Sequence, residues 1–183
     1  MDRRIEVLMQ NLPVGIDAAL INGYEIQQYY TRQSIPDSYL LVSRTDVWLF
    51  ASPFYREKAC LVADVLYVEG SDIQTRLSEI LCRKEGRIKT LAVQADQLTM
   101  AEYDWLRKNV SCEIVADGTL DEVIYQQNCR KTEEEVMAVQ KAQDAADKMF
   151  SEVLNYVHPG MNDMELQKIV GVLLRFWFTE RFL

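Results

Sequence analysis

At 183 residues, 49% of them hydrophobic, the chain can bury a proper core, which excludes global disorder. Its 28 acidic residues outnumber 20 basic ones, and a net charge of −8 with no basic cluster excludes nucleic acid as a partner, because phosphate binding needs Lys and Arg. Met1-Asp2-Arg3-Arg4-Ile5-Glu6 lacks the apolar run of a secretory signal, and nothing before the last helix resembles a membrane span, so a cytoplasmic location away from membranes is expected.

From Ile16 to about Ala116, short apolar runs alternate with amphipathic stretches, the pattern of an α/β domain. Residues 17–21 read as a first strand closed by Asn22-Gly23. Residues 38–43 and 46–50 read as a β-hairpin turning at Arg44-Thr45, although that is not a favoured turn pair. Tyr29 and Tyr30 with Trp48 and Phe50 are expected to pack on strands, not to form an aromatic binding face. A helix begins at Pro53, where proline is tolerated in a first turn, and runs through Ala59. A strand at 65–68 follows, then Ile73, Leu77, Ile80 and Leu81 at helical spacing. Another strand spans 90–93, and Met100, Tyr103, Leu106 and Val110 mark a further helix. The last strand covers 113–116, and a short helix covers 118–127.

The polar Gln126-Gln127-Asn128 and Arg130-Lys131 place a domain border near residue 128, giving an α/β domain of 1–128 and a second segment of 129–183. Two helix starts in that segment share one design. Thr132 with Glu135, and Asn162 with Glu165, have capping-box spacing, in which the first side chain accepts an N–H of the opening turn and the glutamate reaches back. Pro159-Gly160 breaks the chain between them, and the first helix is expected to reach Val157. No internal repeat appears.

This order of elements resembles the creatinase and Xaa-Pro peptidase family, the pita-bread metallopeptidases. The residues that carry the resemblance are Lys131-Thr132, Glu135-Val136, Lys141-Ala142, Pro159-Gly160-Met161 and Glu165-Leu166. In the first half, Ile16-Asp17-Ala18 opens the first strand as in many relatives. Tyr30-Thr31 stands where the family has Tyr-x-Thr-Gly or Phe-Thr-Gly, with Arg32 in place of the glycine. Leu49-Phe50, Tyr55 and Ala59 follow a family pattern, whereas Ser52 and Phe54 depart from its Asp-x-Arg-Tyr and remove an Asp-Arg ion pair. The resemblance spans residues 5 to 174. It implies a creatinase-type N-terminal domain, a mixed β-sheet flanked by helices, followed by two helices of an incomplete pita-bread domain.

The resemblance also implies a function. In that family two divalent metal ions (Mn, Co or Zn), held by two Asp, one His and two Glu, hydrolyse the peptide bond, and all five positions lie beyond the two helices. No catalytic, cofactor-binding or metal residue is therefore assigned here, and this chain alone is expected to be an inactive, truncated part of an Xaa-Pro dipeptidase or aminopeptidase. Expected partners are a second copy of the chain or the missing catalytic domain. Proline-containing peptides are expected as substrates only of the complete protein. The implied role of the N-terminal portion is in subunit contact and the active-site entrance.

The remaining candidates read as structural. His158, the one histidine, precedes a proline at a helix end, where its ring faces water or the last carbonyls. Glu133-Glu134-Glu135 complement the helix dipole. Cys60, Cys82, Cys112 and Cys129 form no C-x-x-C pair, so reduced and mostly buried thiols are expected, without a zinc cage. A Gly-rich phosphate loop, a G-x-S-x-G elbow and H-E-x-x-H are all absent. Ile169-Val170, Val172-Leu173-Leu174, Phe176-Trp177-Phe178 and Phe182-Leu183 make the last helix apolar all round, and such a helix needs a partner surface. A non-catalytic interaction module associating through that helix is the alternative function.

Overall fold

The computed structural model describes residues 2–69, 72–83 and 88–179. Strands β1 (Ala18–Ile21), β2 (Tyr39–Ser43), β3 (Val47–Ala51), β4 (Leu66–Glu69), β5 (Thr90–Val93) and β6 (Glu113–Val115) form one mixed sheet in the order β4-β3-β2-β1-β5-β6. Antiparallel pairing joins β1 to β2 and β2 to β3, while β1–β5, β5–β6 and β3–β4 are parallel. The central strands are buried on both faces, which is why they read as continuous apolar runs instead of alternating ones.

Alternate side chains sort to the two sides of the sheet, as the strand period of two requires. Ala19, Ile21, Leu40, Val42, Leu49 and Ala92 face one cluster, which is completed by α1 (Arg3–Asn11), α2 (Tyr24–Thr31), α3 (Arg56–Cys60) and α6 (Thr119–Cys129). Ala18, Leu20, Leu41, Trp48, Phe50, Leu91 and Val93 face the other, covered by α4 (Ile73–Arg83) and α5 (Met100–Asn109). The result is a three-layer α/β arrangement, a mixed sheet flanked by helices as expected above.

Two helices differ from the sequence reading. α1 starts at an Asp2 N-cap, whose side chain accepts the Arg4 N–H, and it buries Ile5, Leu8 and Met9 at helical spacing. α2 carries Tyr29 and Tyr30, which were expected on a strand. Tyr30 is buried against the face opposite Trp48 and Phe50, so the four aromatics share no surface. The hairpin turn works despite its residues because the Ser43 hydroxyl accepts the N–H groups of both Thr45 and Asp46. The helix begun at Pro53 is a 3₁₀ turn over Pro53–Tyr55 that passes into α3.

The chain divides into two compact units, Met1–Cys129 and Arg130–Leu183. In the second, α7 (Glu133–Val153) and α8 (Asp163–Thr179) form a helical hairpin. Both capping boxes are made. Thr132 accepts the Glu135 N–H while Glu135 accepts that of Thr132, and Asn162 and Glu165 repeat the exchange. α7 stops four residues short of Val157, because Asn155 and Tyr156 tighten onto Glu152 and Val153 through i→i−3 bonds. Gly160, at φ +90°, then supplies the left-handed turn that sends the chain into α8. The expectations for the side chains of Trp177, Phe178, Phe182 and Leu183 fall outside the described residues. No helix among the described residues is long and apolar enough to cross a membrane.

Candidate functional site

β1 and β5 run parallel side by side, but β1 continues into α2 on one face of the sheet and β5 into α5 on the other. In open α/β sheets the carboxyl ends of such a strand pair form the crevice where ligands bind. In this chain the crevice is filled by a side chain. Gln94, 2% exposed, accepts the backbone N–H groups of Asn22 at 3.0 Å and Gly23 at 2.8 Å on its Oε1. The Asn22 amide donates to the Gln97 carbonyl at 3.2 Å. Gly23 suits this close packing, since a Cβ there would stand 3.1 Å from Gln97 Cγ and 3.2 Å from Gln94 Oε1 and would have to displace these side chains by a few tenths of an ångström. Asn22-Gly23, read from sequence as the end of a strand, is thus one wall of a polar joint.

A second buried glutamine braces the same end of β1. The Gln27 Nε2 donates to the carbonyls of Ile21 at 3.0 Å and Ser38 at 2.6 Å, and its Oε1 accepts from the Ser38 hydroxyl. Beyond the joint, Asp121 near the start of α6 accepts the Ala95 N–H at 2.8 Å. Burial, and then the neighbouring Asp96 carboxyl, push Asp121 up to about 6.

On the other face, between α4 and α5, lies a cavity of about 10 Å³ bordered by Leu20, Tyr39, Gln74, Leu77, Glu102 and Trp105. That volume is room for roughly one water, far below what a peptide substrate needs. Its polar edge is already committed. The Tyr39 hydroxyl donates to Glu102, which also closes the capping box of α5 with Thr99. Burial works against the Glu102 charge, yet the bonds from Tyr39 and Thr99 outweigh it and hold the carboxyl below its usual range. Tyr39 is pushed upward by its own burial and by Glu102, and so remains a donor.

No group of three or more His, Cys, Asp or Glu that could hold a metal ion occurs among the described residues. The pair of divalent ions implied by the resemblance therefore has no matching donor set in these residues. His158 is exposed, with Nδ1 3.2 Å from the Pro159 carbonyl oxygen. Glu133, Glu134 and Glu135 occupy the first turn of α7 as the dipole argument expects. The cysteines correct the sequence reading. All four are free, but Cys60 and Cys129 are exposed while Cys82 and Cys112 are partly buried, because they fall at helix ends and at the start of an edge strand.

The architecture has close counterparts among solved structures. An Xaa-Pro dipeptidase from Bacillus anthracis superposes with a TM-score of 0.82 at 20% identity, over 94% of this chain and 48% of that one. The N-terminal domain of the cytoplasmic peptidase PepQ from Mycobacterium tuberculosis H37Rv matches with a TM-score of 0.55 at 23% identity, over 66% of this chain and 97% of that one. The fold is that of a creatinase-type N-terminal domain. A prolidase from Pyrococcus horikoshii OT3 shares the same N-terminal fold, with a TM-score of 0.78 at 21% identity over 96% of this chain and 49% of that one. The chain thus spans about half the length of the Bacillus and Pyrococcus structures. Neither a protein-family model nor a curated protein matches it.

Proposed function

We propose that this chain is the N-terminal, non-catalytic portion of a metal-dependent Xaa-Pro dipeptidase or aminopeptidase, acting in the cytoplasm through subunit contact and the entrance to an active site carried elsewhere. The observation that carries this reading is the superposition on an Xaa-Pro dipeptidase along 94% of this chain, extending past the 66% that matches an N-terminal domain alone. The complete protein would act on proline-containing peptides and use two divalent ions. The test is direct. Incubation of the purified chain with Mn²⁺ or Co²⁺ and Xaa-Pro peptides is expected to give no hydrolysis above a chelator control. Metal-dependent turnover by the chain itself would overturn the reading.

A specific observation favours a second reading, association through the C-terminal helix pair. In α8 Leu173 is buried, whereas Met164, Val172 and Leu174 are exposed, and α7 exposes Val136, Met137, Val139 and Phe150. Apolar surface of this kind marks an interface, either with the catalytic part or with a second copy. Size-exclusion of the chain with and without residues 162–183 separates the cases. Oligomers that dissolve on removal support self-association, and a monomer in both states argues against it.

A further inference from the structure

We infer that Asp96 and Asp121 share a single proton in the folded chain, forming an acid–carboxylate clamp that fastens the loop after β5 to the start of α6. The geometry leaves little alternative. Asp121 Oδ2 is satisfied by the Ala95 N–H at 2.8 Å, but Asp121 Oδ1 is sealed from solvent and meets no donor. The side chain beside it is Asp96, another acceptor when ionised. With both groups ionised, Asp121 would hold a buried oxygen without a donor while its carboxylate is repelled by that of Asp96. One proton between the two carboxyls converts that contact into an O–H···O⁻ bond and removes one charge.

The surroundings favour keeping that proton. Burial and then Asp96 raise the affinity of Asp121 for it. On the α6 side the nearby charges are Asp117, which stays ionised because Thr119 bonds it, and Glu122. α1 bonds α6 at the far end, where the Arg4 carbonyl accepts from Gln127, and the Arg4 guanidinium is engaged on Tyr29. Among the described residues the one charged group acting on Asp121 is thus the carboxyl of Asp96, of like sign. The loop it clamps, residues 94–97, is the one that carries Gln94 and Gln97 onto Asn22 and Gly23. Loss of the proton puts two negative charges side by side and loosens this joint, so the clamp is closed in mild acid and relaxed at neutral pH.

Carbonyl-carbon NMR titration of the aspartate side chains in the full chain tests the proposal. Asp121 is expected to titrate well above the other aspartates, and Asp96→Asn is expected to return it to their range, because the amide donates to the carboxylate. Asp121 titrating with the ordinary aspartates in the unmodified chain, or unmoved by Asp96→Asn, would overturn the clamp. A second variant reads the consequence. In Asp121→Asn, which mimics the protonated form, the denaturation midpoint is expected to rise at pH 7.5 and to lose the decline expected of the unmodified chain as pH rises from the ordinary aspartate range to about 6. An unchanged decline would also overturn it.

Discussion

Gln94 accepts the N–H of Gly23 across 71 residues of sequence, and this bond joins the end of β1 to the end of β5. Together with the Asn22 N–H it makes one side chain the acceptor for two backbone donors. Truncation to Ala leaves both donors without that partner in a site closed to water. Gln94→Ala is therefore expected to lower stability by about 2–3 kcal/mol, read as a reduced urea midpoint with an unchanged slope. A loss below about 0.5 kcal/mol would show that water reaches these groups.

Arg32 ends α2 in the left-handed region, at φ 57° and ψ 15°, with its N–H on the Gln28 carbonyl. A side chain there carries a steric cost that glycine avoids, and glycine is the residue that the resembled family places at this point. Arg32→Gly is expected to be neutral or to stabilise by up to about 1 kcal/mol, although most glycine substitutions destabilise. Thermal unfolding of the two proteins checks the sign.

Glu102 gives the chain an acid-side dependence of opposite sense to that of Asp121. Its folded pKa is depressed, so its contribution is present above the ordinary glutamate range and is lost as pH falls through the lower folded value. Asp121, pushed up to about 6, contributes fully below the ordinary aspartate range, declines as pH rises, and is spent above about 6. The two make stability peak in mild acid. Glu102→Gln is expected to flatten the loss on the acid side, below the ordinary glutamate range, where the wild-type carboxylate takes up its proton. Denaturant midpoints taken from pH 3 to pH 7.5 on both proteins measure this, and an unchanged acid limb in the variant would remove Glu102 as its source.

The sheet was legible because its strands are continuous apolar runs with turn residues between them, and the two capping boxes because their chemistry is local. α2 was not, because Tyr24–Thr31 mixes aromatic residues of high strand propensity with Gln27, a polar side chain that is buried and satisfied only through Ile21 and Ser38. α1 carries Ile5, Leu8 and Met9 at helical spacing, but its nine residues are too short a window for that periodicity to mark a helix by itself. The polar joint was invisible for a different reason. Gln94, Gly23, Asp96 and Asp121 become neighbours only when β5 lies beside β1, and no motif spacing encodes a tertiary hydrogen bond. The end of α7 is not legible in sequence because Pro159 marks only where a helix must have stopped, while the i→i−3 bonds at Glu152 and Val153 stop it sooner.

The proposed N-terminal portion of an Xaa-Pro peptidase has, among the described residues, no donor group for a metal ion. Calorimetric titration of the purified chain with Mn²⁺ at neutral pH tests it most directly. No saturable binding of two ions per chain is predicted, because no suitable donor group exists among the described residues. Stoichiometric uptake of two Mn²⁺ ions, abolished by a chelator, would contradict it.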